Sequence, residues 1–541
     1  MFYFFSTSRG GVTLGKTKFE QSIRFEQTIR DYRPELIIAL ACAVGTDISI
    51  VKSAVEEKLQ SFHYSCNTIK ISKELLEPLS QAPKDESSFD RAKRLMDCGN
   101  ELRRDSGEYG ILAKGAISLI ESMRNPPESP SQSVAFIIDS IKNPEEIKVL
   151  RKVYGTGVYL FAVNESEKFR VDNMVKTKNM GKEDALNLCR RDYDEGRKYG
   201  QKTRDVFELA DFHLSFNSWQ TMVKEKDAEH LENENIIKDA KKKIIVGQVA
   251  RIIEIMFSNP FITPTFDEYA MFMAYSSGLR SADLSRQIGA VIANDQNEII
   301  ALGANDCPRF GGGQYWPVFD ADSAKYVDLE NGRDYTRGHD SNKLEHAKII
   351  DDIIEIFDFD NTEKGKESKK KVRDRLNESR IKYLTEYGRP VHAEMAAILS
   401  CARTGISLQN ATLYCSTFPC HNCAKHIIGA GIKRVVFIEP YPKSKSLELY
   451  DDSLRLVDTS DFSNKYVRFE EFVGIGPRRF YDLFSLSLSS GSPLKRKDST
   501  GKRIDWKATL RCKMEPTTYF EREKNESLQY RFIINNIKQG E

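Results

Sequence analysis

The sequence predicts an α/β protein built as two units in series: a doubly wound domain, then an α/β/α sandwich interrupted by a helical insertion. Three observations carry that expectation. Short apolar runs alternate with amphipathic helical segments between residues 31 and 258, as in a parallel sheet with helices on both faces. Asn259-Pro260 and Thr263-Pro264 then break the chain. Beyond them, strand and helix patterns alternate again around His392-Ala393-Glu394 and Pro419-Cys420-His421-Asn422-Cys423. The expected divisions are an N-terminal extension over 1–30, the doubly wound domain over 31–258, the sandwich over 262–484 with its insertion at about 311–388, and a tail over 485–541.

The first motif, Gly10-Gly11-Val12-Thr13-Leu14-Gly15-Lys16-Thr17, fits G-x-x-x-x-G-K-[ST]. A working phosphate loop leaves a buried strand, and only Phe2 to Phe5 precede this one, so it reads as a chance match. Better context follows. Leu36-Ile37-Ile38-Ala39-Leu40 is a continuous apolar run suited to a buried parallel strand. Ala41 to Asp47 is a small-residue loop, and Ile48, Val51, Val55 and Leu59 recur behind it at helical spacing. Val134 to Ile138 reads as a second strand ending at Asp139, where a Walker-B-like carboxylate would sit. Val158 to Val163 reads as a third, behind a helix that starts after Pro144.

This half resembles a P-loop nucleotide-kinase fold whose phosphate loop has lost its lysine and most of its glycines. Ala43, Val44, Gly45, Thr46 and Asp47, with Asp139, are then the expected contacts of a regulatory nucleotide, held by amides gathered at the helix N-terminus. The alternative is a scaffold that no longer binds nucleotide. Phosphoryl transfer is not expected without the lysine. The charge-dense run from Arg190 to Arg204 reads as a lid, an oligomer contact or a solvated helix face, and 221–243 as an exposed helix or linker.

The second unit opens with a helix over 266–280 and a hairpin of 289–293 with 298–303. The Gly-rich turn at 311–313 and the Lys/Arg/Glu-rich segment 363–380 mark a helical insertion with a mobile, charged hairpin. Helices over 392–403 and 420–430 and strands over 411–416 and 434–438 complete the sandwich. Past Ser485, Gly491-Ser492-Pro493 and Lys495-Arg496-Lys497 suggest a poorly ordered tail, with order again near Tyr530 to Ile534.

His392, Cys420 and Cys423 supply the three ligands that a catalytic zinc needs, leaving one position open. Three-residue spacing puts both cysteines on one helical turn, which Pro419 can open and whose amides favour both thiolates. Glu394, two residues past the histidine, reaches the open position without being a ligand, as a proton shuttle must. The H-x-E…P-C-x-x-C pattern is that of zinc nucleobase deaminases. A structural zinc knuckle would need a fourth ligand, with Cys415 and His426 the nearby candidates, and it leaves Glu394 unexplained.

Composition narrows the setting. A formal net charge of +2 gives no sign of a strongly basic nucleic-acid-binding surface. The 10 cysteines lack framework spacing, and no apolar run approaches the length of a membrane span. A soluble, cytoplasmic protein with reduced thiols is expected, without a membrane partner.

The residues also carry a family resemblance. Arg280-Ser281-Ala282-Asp283-Leu284-Ser285-Arg286-Gln287-Ile288-Gly289-Ala290, Gly303-Ala304-Asn305-Asp306-Cys307-Pro308 and Glu439-Pro440-Tyr441-Pro442-Lys443-Ser444 extend the zinc motif into the pattern of deoxycytidylate deaminases. With Ala43 to Asp47 and Ile138 to Pro144, the whole chain resembles bacterial anti-phage deaminases that fuse a P-loop kinase-like domain to a dCMP/dCTP deaminase domain. The resemblance implies a cytidine-deaminase-like sandwich, a Zn2+ cofactor, and conversion of free deoxycytidine nucleotides to deoxyuridine nucleotides, which depletes dCTP. It also implies homo-oligomers and restraint by a small inhibitory RNA. Asn305 resembles the residue that holds the deoxyribose, while Arg280, Ser281, Lys443 and Ser444 are candidates for the phosphates, or else surface residues and helix caps. Two other readings stand beside it: a polynucleotide cytosine or adenine deaminase, and a nucleotide- or RNA-regulated scaffold without turnover.

Overall fold

The computed structural model describes residues 33–124, 133–217, 234–357, 359–360, 362–439, 444–457, 465–487, 493–512, 514 and 516–539. The formal P-loop match at 10–17 and Lys443 lie outside them, as does most of 221–243.

The N-terminal half is a parallel sheet of β1 (Leu36–Cys42), β2 (Ser65–Lys70), β3 (Val134–Asp139), β4 (Val158–Asn164) and β5 (Phe212–Ser215), in the order β5-β4-β1-β3-β2. Every residue of β1 is buried because both its faces are covered. Ile37, Ala39 and Ala41 enter one core while Leu36, Ile38, Leu40 and Cys42 enter the other, the two-residue alternation of a strand. The helices are α1 (Ile48–Gln60), α2 (Ser88–Ser106), α3 (Ile111–Met123), α4 (Pro144–Tyr154), α5 (Glu167–Lys178), α6 (Lys182–Tyr193), the short α7 (Thr203–Phe207) and α8 (Glu234–Met256). Helix α4 starts as its sequence dictates: Pro144 needs no N–H partner, and Asn143 and Glu146 form a reciprocal capping box.

The C-terminal half begins with α9 (Phe266–Gly278), β6 (Gly289–Ala293) and β7 (Ile299–Ala304). The insertion holds an exposed hairpin, β8 (Val318–Asp320) with β9 (Lys325–Val327), and helices α10 (Asp334–Arg337), α11 (Ser341–Glu355) and α12 (Glu363–Glu378). Then come α13 (Ala393–Thr404), β10 (Thr412–Thr417), α14 (His421–Gly429), β11 (Arg434–Glu439), α15 (Ser446–Leu449), β12 (Leu454–Leu456) and β13 (Val467–Glu471). The sheet order is β12-β13-β11-β10-β6-β7. Ala393, Ala397, Cys423 and Ile427 of α13 and α14 pack on one face, and Ala270, Met271 and Ala274 of α9 on the other.

Three expectations change. The described end of the tail is helical: α17 (Pro516–Gln539) packs along α3, and its Glu523 joins Arg124, Glu35 and Tyr154 in a buried network, while Gly491 and Ser492 lie outside the described residues. That polar-looking helix hides its function in tertiary partners, which no local pattern reveals. The run from Arg190 to Arg204 is no solvated face either. Asp192 is buried against Lys142 at 2.8 Å, and Arg191 bonds Asp97 at 2.6 Å, because the segment folds back over the carboxyl ends of the strands. Finally, the halves interlock. Strand β14 (Gly474–Ile475) adds antiparallel to the edge of β5, and Arg479 of α16 (Pro477–Phe484) reaches Asp211 at 3.1 Å and the carbonyls of Thr156 and Val158 at 2.8 and 2.6 Å.

Candidate active site

His392 and Cys420 each occupy the residue immediately before a helix, so both side chains stand at helix N-termini. A two-way backbone bridge between Asp306 and Val391, at 3.0 and 3.3 Å, fixes the chain just ahead of His392. Pro419 lies one residue before the α14 cap rather than inside the first turn. Its carbonyl instead accepts from Ser444 Oγ at 2.8 Å and Ser446 Oγ at 3.1 Å, which pins the turn bearing Cys420. Ser446 is fully buried and belongs to no local motif, so nothing in its neighbourhood along the chain signals that role.

The two cysteine Sγ atoms each stand 3.4 Å from His392 Nδ1, and all three donor atoms lie within 4.8 Å of one another. Among the described residues this is the one such cluster of His, Cys, Asp or Glu. Zinc–nitrogen bonds of about 2.0–2.1 Å and zinc–sulfur bonds of about 2.3 Å, held tetrahedrally, separate N from S by about 3.5 Å. The donor set therefore fits zinc in both identity and spacing. Cys415 turns away to the Thr417 carbonyl at 2.9 Å, and His426 is exposed and bonded to the Asn422 carbonyl at 2.7 Å. Neither closes a fourth position.

A hydrogen bond from Cys423 holds Cys420 well below the usual thiol range, helped by His392, while Cys423 is pushed up by that bond and by burial. Glu394 is 5% exposed, and burial raises its carboxyl above the usual range although His392 opposes the shift. Its carboxyl hydrogen-bonds with Cys423, beside the donor cluster.

The expected substrate residues in the described part of the chain each have partners within the protein. Asn305 is buried, its Oδ1 accepting from Ile288 N and its Nδ2 donating to Arg286 O, both at 2.7 Å. It holds the 286–288 segment in place. Ser281 Oγ bonds the Asn305 carbonyl. Arg280 stacks over Trp316 at 3.7 Å, donates to Gln314 Oε1 and the Tyr315 carbonyl at 2.6 Å each, and lines a cavity of about 530 Å³ on the outer side of α13. Ser444 is committed to Pro419.

In the N-terminal half, Ala43 to Thr46 and Asp139 line a cavity at the carboxyl ends of β1, β2 and β3, and Asp47 does not. Three of the loop amides already have partners. Val44 N–H donates to Asp192 at 2.8 Å, Asp47 N–H to Glu165 at 3.3 Å, and Thr46 N–H to the Ala43 carbonyl at 3.2 Å. On the Val44 and Asp47 amides, carboxylates of the protein stand where an anion would sit. Asp139 pairs with Lys52 at 2.9 Å. Gly45 has φ +91°, and a Cβ there would lie 2.7 Å from the Arg170 carbonyl, so packing on α5 requires its glycine.

Residues 264–439 match the model of the cytidine and deoxycytidylate deaminase zinc-binding region. The deoxycytidylate deaminase of Enterobacteria phage T4 is 33% identical over 188 residues, 34% of this chain and 81% of that protein. The phage T2 deoxycytidylate deaminase is 41% identical over 87 residues, 16% of this chain and 45% of that protein. Among solved structures, the dCMP deaminase of cyanophage S-TIM5 in complex with dCMP and dUMP is 16% identical with a TM-score of 0.21, covering 39% of this chain and 100% of that one. No helix among the described residues is long and apolar enough to cross a membrane. With the zinc-region match enclosing His392, Glu394, Cys420 and Cys423, the chain belongs, through its C-terminal region, to the deoxycytidylate deaminase family.

Proposed function

We propose that this chain hydrolytically deaminates free deoxycytidine nucleotides, dCMP, dCTP or both, to the deoxyuridine nucleotides. The observation that carries the reading is the trio of zinc-spaced donors with no fourth ligand among the described residues, and a buried carboxyl beside them. His392, Cys420 and Cys423 would hold the ion. Zinc, when bound, supplies Lewis acidity that makes water a nucleophile near neutral pH. Glu394 takes a proton from the attacking water, protonates cytosine N3, and delivers a proton to the amino group as the C4–N bond breaks and ammonia leaves. Burial suits it to this task, because a carboxyl raised toward neutrality both accepts and returns protons. Asp306, Val391, Ser444 and Ser446 position the ligands.

The resemblance extends this reading to dCTP depletion in phage defence, to homo-oligomers, to restraint by a small RNA and to a cytoplasmic setting. The parallel order with β1 between β3 and β4 supports a kinase-like origin for the N-terminal half. With Asp192 seated on its loop and no loop lysine, we read that half as regulatory rather than phosphoryl-transferring. The test is turnover of dCMP, dCTP, CMP, CTP and cytosine-containing single-stranded DNA by the zinc-loaded full chain. The deoxynucleotides should be favoured, and faster deamination within single-stranded DNA would replace this reading with the editing activity.

A further inference from the structure

The cavity at the carboxyl ends of β1, β2 and β3, about 240 Å³, holds a charge imbalance that the deaminase does not use. Two of its lining cations are neutralised inside the protein: Lys142 by Asp192 at 2.8 Å and Arg103 by Glu146 at 2.6 Å. Three others gather at the rim from separate elements: Lys70 at the end of β2, Arg91 on α2 and Lys178 at the end of α5. Arg91 pairs with Glu77 at the surface, whereas neither Lys70 nor Lys178 ion-pairs with a carboxylate among the described residues.

Lys178 keeps a solvent-facing surface, yet the surrounding protein desolvates its ammonium and Lys70, Arg91 and Lys142 add like charge. Both effects hold it below the usual lysine range. Like charges brought together from three elements are unfavourable until an anion joins them. Below the rim, the wall is apolar, made by Ile71, Leu76, Leu95 and Leu112. Thr46 Oγ1 is buried at the cavity's edge with no hydrogen-bond partner. The position is the crevice outside the strand ends where open α/β sheets take ligands.

We propose that this cavity binds a nucleoside phosphate, with Lys70, Arg91 and Lys178 on the phosphates and the base against the apolar wall. The phosphates sit on side chains at the rim, away from the loop amides that Asp192 and Glu165 occupy. That the bound nucleotide adjusts deamination rests on the regulatory reading of this half.

The experiment is calorimetric titration of the zinc-loaded full chain with ATP and, separately, inorganic tripolyphosphate, alongside Glu394→Ala and a Lys70→Ala/Lys178→Ala double variant. Both replaced lysines are exposed, so the fold and the ligand-free dCMP turnover should be retained. Saturable ATP binding is expected in the wild type and Glu394→Ala. The double variant should weaken it about 100-fold, about tenfold for each charge-assisted hydrogen bond removed. Absent ATP binding, or equal affinity in the double variant, overturns the site. Tripolyphosphate binding as tightly as ATP overturns the role given to the apolar wall. ATP binding as expected, with dCMP turnover unmoved at saturation, overturns the regulatory reading and leaves the site standing.

Discussion

Gly303 on β7 is where the sheet sets the position of Glu394, the proposed acid/base residue. An added Cβ would lie 2.1 Å from the Ala393 carbonyl and 2.7 Å from the Ala397 amide, both backbone of α13. Real Cβ atoms keep beyond 3.0 Å, so Gly303→Ala must drive the first turn of α13 back by about 0.9 Å. Ala393 sits between His392 and Glu394, so both the ligand and the carboxyl move with it. A misplacement of about 1 Å at a reacting centre costs about 100-fold in rate, and overpacking of this kind costs about 1–3 kcal/mol of stability. The assay is dCMP turnover with a parallel thermal melt, using Leu302→Ala as control, since Leu302 is 48% exposed on the same strand. Gly303→Ala with wild-type turnover and melting would refute the claim that this contact positions Glu394.

Arg479→Ala should destabilise the chain by about 3 kcal/mol, because it strips a buried partner from Asp211 while Arg151 still holds that carboxylate at 3.0 Å; denaturant unfolding at neutral pH checks this. Burial lowers His213 to about 4, against the opposing charge of Asp211. Its unfolded form binds a proton near pH 6.5, so its stabilising contribution is complete above that pH and falls away as pH drops toward 4, by about 3 kcal/mol at most. His213→Gln should flatten that part of the stability–pH curve, and an unchanged slope would remove His213 as its source.

Much of the first sheet was legible because a strand buried on both faces is apolar throughout, as at Leu36 to Leu40 and Val158 to Val163. The two cysteines of the donor cluster were legible because a three-residue spacing on one helical turn is a local fact. What the sequence hid is tertiary. The partners of the Asn305 amide, Arg286 and Ile288, lie far from it along the chain, so no local pattern shows them. The loop at Ala43 to Asp47 reads as an anion cradle, and the sequence does not show that Asp192, on a distant helix, accepts from its Val44 amide. Helix α17 lacked a clean apolar face because part of its burial is polar, through Glu523, Glu526 and Ser527.

The central claim is that Glu394 moves protons beside a three-ligand zinc and is not itself a ligand. Zinc content and dCMP turnover measured on the same preparation of Glu394→Ala test it most directly. The predicted result is one equivalent of zinc per chain with turnover abolished, whereas Cys423→Ala loses both. Loss of zinc from Glu394→Ala, or turnover that survives the substitution, would contradict it.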